Sequence, residues 1–382
     1  MNTKAVMETV EALYSQYLDV LEDVCNIESP TADKAGVDAV GEYIVSWAKK
    51  RGFEVSYCRQ AVSGDAISIT MNPSADGELV CLSGHMDTVH PHGLFGTPAV
   101  RRDGEMLYGP GAVDCKGGIV AAMLAMDALY TCGYDGRPVR LILQSDEENS
   151  SLTSNKETVR FMCEQAKGAV VFFNLEGSSA GKAVLWRKGI WRCRFVIGGK
   201  ACHSSHCDEG ASAIAEAAHK ILALETLKDP EGLTCNCGVI HGGTVANSVA
   251  HECIFDADIR FATDEQLKTV QRMVDEVASH THVVGCTCRV EEVSFRPAMT
   301  HEERNKRVLA RMNAIWQANG MDGMIGKGAR GGSDAAYVTR AGVPCVDNLG
   351  IEGGGIHSVK EHARMRSLAK SACRMVTVIC EI

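Results

Sequence analysis

The sequence predicts an α/β protein of two domains, one of which interrupts the other. Three observations carry this. Val139 to Gln144 and Val170 to Leu175 form strands that stay largely apolar along their length, as in a sheet covered on both faces. From about Trp186 the pattern changes, and Trp191, Cys193, Phe195 and Ile197 alternate with Arg192 and Arg194, as in a half-exposed strand. The chain, at 382 residues, also exceeds one ordinary core.

Along the chain, Met1 to Glu22 sets Glu8, Glu11, Asp19 and Glu22 among apolar residues. That predicts an amphipathic surface helix, because a signal peptide needs a basic start and an unbroken apolar stretch. Asp65 to Met71 and Leu79 to Ser83 are strands, and Ile119, Ala122, Met123, Met126 and Leu129 mark one face of a helix. After the strand at Trp191 come a helix (Ile214, Ala218, Ile221, Leu222) and a strand near Cys237 to Ile240. The next strand sets Cys253, Phe255, Ala257, Ile259 and Phe261 against Asp256, Asp258 and Arg260. A helix (Leu267, Val270, Val274, Val277) and a strand near Cys286 to Val293 close the series. That order, βαββαβ, is the ferredoxin-like unit. Val343 to Asp347 and its flanking helices resume the earlier style. The expected division is therefore 1–187 with 298–382, and an insert over 188–297.

Composition narrows the function classes. Apolar and charged fractions of 45% and 23% are those of a globular protein. A net charge of -9 argues against nucleic acid or anionic membrane as a partner. No apolar run approaches the roughly 20 residues needed to cross a bilayer. The 17 cysteines are scattered, several inside apolar strands (Cys81, Cys193, Cys253, Cys345), which points to a reducing cytoplasm. Cys235 with Cys237, and Cys286 with Cys288, have the spacing of alternate strand positions, not of a zinc ribbon.

The chemistry concentrates where apolar runs end. Ser83-Gly84-His85-Met86-Asp87, Asp146-Glu147-Glu148 and Asn174-Leu175-Glu176 follow buried strands, and Gly355-Ile356-His357 lies near the C-terminus. With Asp114, in Gly109-Pro110-Gly111-Ala112-Val113-Asp114, they supply two imidazoles and several carboxylates, enough for two divalent metals. Loops at the carboxyl edge of a parallel sheet are where such groups converge. Asp87 can accept from the second nitrogen of His85 and fix its tautomer. His90 and His92, on a Pro-containing loop, are weaker ligand candidates. Of the adjacent Glu147 and Glu148, one can bind metal while the other takes a proton. Glu176 can close a second site, and Asp114 can bridge two ions.

These segments, in this order, resemble the M20 family of metallopeptidases, most closely its glutamate carboxypeptidase branch. Tyr108-Gly109-Pro110-Gly111, Gly199-Lys200-Ala201-Cys202-His203 and Gly331-Gly332-Ser333-Asp334-Ala335-Ala336-Tyr337 belong to the same resemblance. It implies a zinc-peptidase-like mixed sheet with helices on both faces, and an inserted lid and dimerisation domain. It further implies two Zn2+ per subunit, held by His85 and Glu176 on one side and by Glu148 and His357 on the other. Co2+ or Mn2+ would suit the same donors. Asp114 would bridge, Glu147 would be the general base and Asp87 would support His85. A cis peptide bond is expected between Asp114 and Cys115. His203 would reach into the active site of the partner in a homodimer. Arg260 and Arg296 would bind a substrate carboxylate, although Arg260 could instead pair with Asp258 or Asp256. Asn247 would meet the scissile carbonyl region.

The implied reaction is hydrolysis of the amide bond next to a C-terminal amino acid carboxylate, in a small peptide or N-acyl amino acid, by a water activated between two zinc ions. The alternatives are an N-acyl amino acid deacylase or dipeptidase with the same core, and a catalytically silent binding subunit. Every ligand and base position carries a competent residue, which weighs against the last. Gly109-Pro110-Gly111 lacks the third glycine of a dinucleotide fingerprint.

Overall fold

A computed structural model describes residues 1–382. The chain divides into two compact units, the first Met1–Leu185 with His301–Gly328 and Tyr337–Ile382, the second Trp186–Thr300 with Ala329–Ala336.

The first unit holds a six-stranded sheet. Its strands are β1 (Glu54–Cys58), β2 (Ala66–Met71), β3 (Val80–His85), β4 (Val139–Gln144), β5 (Val171–Asn174) and β10 (Cys345–Val346), in the order β1-β2-β4-β3-β5-β10. β3 runs parallel to β4 and β5, and β10 parallel to β5. β2 is antiparallel to both β1 and β4, so the sheet is mixed. Register aligns His85 with Gln144 and Ser83 with Asn174. The chain therefore leaves three neighbouring parallel strands at one edge.

Helix α1 (Thr3–Asn26) buries Val6, Val10, Tyr17, Leu21 and Val24, a stripe at helical spacing, and its Asn2 cap accepts from Lys4 N and Ala5 N. Helices α2 (Lys34–Lys49), α3 (Lys116–Thr131) and α4 (Glu157–Gln165) belong to the same unit; α3 is buried from Lys116 to Leu129 and shares one core with α1 and the C-terminal helix Ser367–Glu381. Being apolar nearly all round, α3 has no solvent face to present. A small antiparallel sheet pairs His362–Arg364 with Met106–Tyr108 and with Gly353–Gly354. No helix is long and apolar enough to cross a membrane.

The second unit contains β6 (Gly189–Gly198), α5 (Ala213–Leu224), β7 (Thr234–Gly242), β8 (Glu252–Phe261), α6 (Asp264–Ser279) and β9 (Thr287–Arg296). The sheet order is β7-β8-β6-β9 and every pairing is antiparallel, the ferredoxin-like arrangement. Cys193, Phe195 and Ile197 of β6 and Cys253, Phe255, Ala257 and Ile259 of β8 form the buried face, with Phe195 and Phe255 stacked at 4.6 Å. Ala329–Ala336 groups here, although the sequence reading left all of 298–382 with the other domain. Two bonds explain it: Lys188 N donates to Ala329 O, and Arg187 Nη1 to Gly331 O.

Candidate metal centre

Five side chains of the first unit form two groups that share one member. His85, Asp114 and Glu176 make the first, and Asp114, Glu148 and His357 the second. Within each group the ligand atoms lie within 4.8 Å of one another. His85 Nε2 is 3.2 Å from Asp114 Oδ1 and 4.0 Å from Glu176 Oε1. His357 Nε2 is 3.3 Å from Asp114 Oδ2 and 3.3 Å from Glu148 Oε2. Asp114 thus turns one carboxylate oxygen to each imidazole.

Local structure sets these directions. His85 ends β3 and is only 2% exposed. Its Nδ1 lies 2.9 Å from the Asp87 carbonyl oxygen, which can only accept. A proton therefore sits on Nδ1, and Nε2 is the nitrogen that faces Asp114. Burial disfavours the charged ring, yet its acidic neighbours raise it well above the ordinary imidazole range. The sequence assigns this bond to the Asp87 side chain; its main-chain carbonyl takes it at 2.9 Å, with Oδ1 farther away at 3.4 Å. The Asp87 carboxylate has a second task. It accepts from Glu147 N at 3.2 Å, from Glu148 N at 3.1 Å and from Thr31 Oγ1 at 2.8 Å, which fixes the loop after β4.

Glu176 follows β5, and Asp114 stands two residues before the start of α3, ahead of its cap Cys115. The peptide bond from Asp114 to Cys115 is cis. Cys115 is buried, its Sγ donates to Leu175 O at 3.3 Å, and burial pushes its thiol up, so it stays protonated. His357 stands on a loop with a left-handed backbone (φ 61°) and is 55% exposed.

The acids strain against one another. Burial pushes Glu176 well above the usual carboxylate range, and the charges of Asp114 and Glu147 add to it. Glu148 is raised too, by burial first, against the pull of His357 and His85, and the charges of Asp114 and Glu147 add to the rise. Asp114 is held well below that range despite burial, because it meets both imidazoles. Those same contacts to Asp114 and Glu148 raise His357 to about 10. Clustered oxygen and nitrogen donors with this charge fit borderline divalent cations such as zinc.

The other candidates sort plainly. Glu147 is 7% exposed and belongs to neither group, although its charge bears on Glu148 and Glu176. Asp146 faces away and accepts from Thr158 Oγ1 and Ser154 N. His92 meets Asp33 and Glu28. His90 meets Glu361 at 2.6 Å. In the second unit His203 is exposed, with Nδ1 2.8 Å from Ser205 Oγ, and Ser204 N donates to Asn247 O, so His203 and Asn247 lie on neighbouring segments. Arg260 grips Asp258 with Nε and Nη2, at 2.5 and 3.1 Å, since alternate residues of β8 share a face. Arg296 is 4% exposed, with Nη2 3.8 Å from Asp334 Oδ1.

Glu361 is the group that sequence reasoning missed. Its Oε1 accepts from Val113 N and Asp114 N, both at 3.1 Å. Only its position four residues after His357 could have drawn notice.

Comparison with known proteins supplies the family. Carboxypeptidase G2 from Pseudomonas sp. (strain RS-16) is 30% identical over 352 residues, covering 90% of this chain and 83% of that protein. Succinyl-diaminopimelate desuccinylase from Thioalkalivibrio sulfidiphilus (strain HL-EbGR7) is 24% identical over 376 residues, covering 93% and 95%. The crystal structure of a tripeptidase from Staphylococcus aureus shares the fold, with a TM-score of 0.79 at 24% identity over 96% of this chain and 97% of that one. The model of peptidase family M20/M25/M40 matches residues 81–381, and the chain is therefore a member of that family of metallopeptidases.

Proposed function

We propose that this enzyme is a two-metal carboxypeptidase, which hydrolyses the amide bond next to a C-terminal amino acid carboxylate in a small peptide or N-acyl amino acid. The observation that carries it is Asp114, with Oδ1 directed at His85 and Oδ2 at His357. His85, Glu176 and Asp114 would hold one zinc ion, and Glu148, His357 and Asp114 the other. Ions held by these residues would supply Lewis acidity to the scissile carbonyl and to a bound water. Glu147 accepts the proton that the attacking water gives up and returns it to the leaving nitrogen. Asp87 holds the Glu147 amide, and so the base, in place.

Arg260 and Arg296 are the candidates for the substrate carboxylate; Asp258 holds Arg260 through two bonds, and Asp334 lies 3.8 Å from Arg296. Asn247 would contact the region of the scissile carbonyl. A homodimer through the second unit, with His203 serving the partner's site, is the assembly this reading carries. β7 is an edge strand with Val239 and Ile240 about half exposed, a surface suited to pairing. Seventeen free thiols, of which only Cys207 is exposed, suit a reducing cytoplasm.

The desuccinylase relative favours a second reading, deacylation of an N-acyl amino acid with the same core. Hydrolysis of matched peptides and N-acyl amino acids, each as free acid and as carboxamide, separates the readings. Preference for a peptide acid supports the carboxypeptidase. Equal cleavage of acid and amide removes the carboxylate clamp.

A further inference from the structure

We infer that Glu361, braced by His90, is a positioning residue that aims Asp114 at both imidazoles, an inference that rests on the two-metal reading above. Glu361 is 1% exposed, and its carboxylate meets neither lysine nor arginine at salt-bridge distance; its Oε2 meets His90 Nε2 at 2.6 Å. Oε1 takes the two consecutive amides Val113 N and Asp114 N at 3.1 Å each. His90 is itself 4% exposed and packs its ring edge-on against Phe95, with centroids 4.9 Å apart. The carboxylate is thus held on one side and holds the backbone of Asp114 on the other.

Main-chain bonds place Glu361 at a junction. Its carbonyl oxygen accepts from Gly109 N at 3.3 Å, at the start of the loop that leads to Asp114. Its own N–H donates to Ser358 O, in the loop that carries His357. The next residues, His362 and Ala363, pair with Tyr108 and Leu107. One residue therefore fastens the loop of the exposed imidazole to the loop of the shared carboxylate. A small rotation of the Asp114 backbone would turn Oδ1 from His85 and Oδ2 from His357 together.

The construction repeats a device already described. Asp87 takes the amides of Glu147 and Glu148, and Glu361 takes those of Val113 and Asp114. Each buried carboxylate grips two consecutive N–H groups of a loop bearing a functional acid. Bonds from ionised acceptors to amides are the stronger kind.

The test is zinc affinity, measured by chelator competition on the full-length protein, for wild type, Glu361→Ala, Glu361→Gln and His90→Phe. The alanine variant should bind zinc about 10–100-fold more weakly, the usual loss when an outer partner of a ligand is removed. Its kcat should fall with KM little changed. The glutamine oxygen still accepts both amides, so Glu361→Gln should recover most of the affinity, and His90→Phe should lose less than the alanine variant. Wild-type affinity in Glu361→Ala, or a glutamine variant as weak as the alanine one, overturns the positioning role. If Glu361→Ala does not fold, wild-type affinity in His90→Phe overturns it instead. A wild-type protein that takes up no zinc defeats the two-metal reading itself, a different result from two ions bound equally well with and without Glu361.

Discussion

Glu216 in the second unit and Glu148 and Glu176 in the first are all largely buried carboxylates, but their surroundings differ in kind. Glu216 meets Lys220 at 2.9 Å, and its Oε2 accepts from His282 N and Val283 N. Burial opposes its ionisation, yet Lys220 and the two amides hold it below the usual carboxylate range. Lys220 in turn donates to the carbonyls of Val277, Ala278 and His280 at the end of α6. Glu148 and Glu176 lie instead among Asp114, Glu147 and two imidazoles, and burial pushes both upward. A buried acid that carries its own lysine is part of the architecture. Acids gathered against their own repulsion are donors arranged for a divalent cation.

The sharpest way to break this contrast is Asp114→Ala, which removes the member common to both groups. Turnover should drop to background and metal content to below one ion per chain, by elemental analysis. Two retained ions would show that the groups do not share Asp114. Glu147→Gln comes next, because it removes the proposed base and leaves every candidate ligand in place. Activity should fall by about 10²–10⁴-fold with metal content unchanged, and full turnover would assign the proton to another group.

A smaller effect separates the two groups from each other. His85 is 2% exposed and His357 is 55% exposed, so stepwise chelation should remove the ion of the His357 group first. His357→Ala should then keep one tightly held ion, and loss of both would show that neither group stands alone. The least effect on turnover is expected from Glu216→Gln, which tests the architectural side. Because the folded-state pKa of Glu216 is lowered, its contribution is complete above the unfolded value of about 4.3 and fades as pH falls through the folded one. The variant should unfold at lower urea than wild type at pH 7, and the gap should narrow below about pH 4. A gap that stays constant with pH would mean that ionisation of Glu216 does not stabilise the second unit.

Four of the five candidate donors were legible because each stands where a local pattern ends. His85 and Glu176 close apolar runs, Glu147 and Glu148 follow another, and Asp114 follows a glycine-rich turn. The strands of the second unit were legible for a similar reason, since alternation encodes which face is buried. Strand direction is not encoded this way. Ile67 and Ile69 would be equally apolar in either direction, and the antiparallel pairing of β2 with β4 emerges only from the folded sheet. Contacts across long stretches of chain were hidden as well. His90 and Glu361 are 271 residues apart, and nothing near either announces the other. The hold of Asp258 on Arg260 was visible as an open alternative, because both lie on the polar face of one strand.

The first turn of α3 limits how this enzyme could be reshaped in the laboratory. A Cβ on Gly117 would lie 2.3 Å from Ala112 O and 2.1 Å from Ile351 Cδ1, and one on Gly118 would lie 2.2 Å from Leu175 O. Backbone oxygens cannot step aside as a side-chain tip can. Random libraries that vary these positions would mostly sample misfolded chains, since Gly117 abuts the turn that seats Asp114 and Gly118 abuts the strand end that seats Glu176. Diversity belongs at positions whose side chains stand clear of the backbone beneath the candidate metal donors, where selection can act without unseating them.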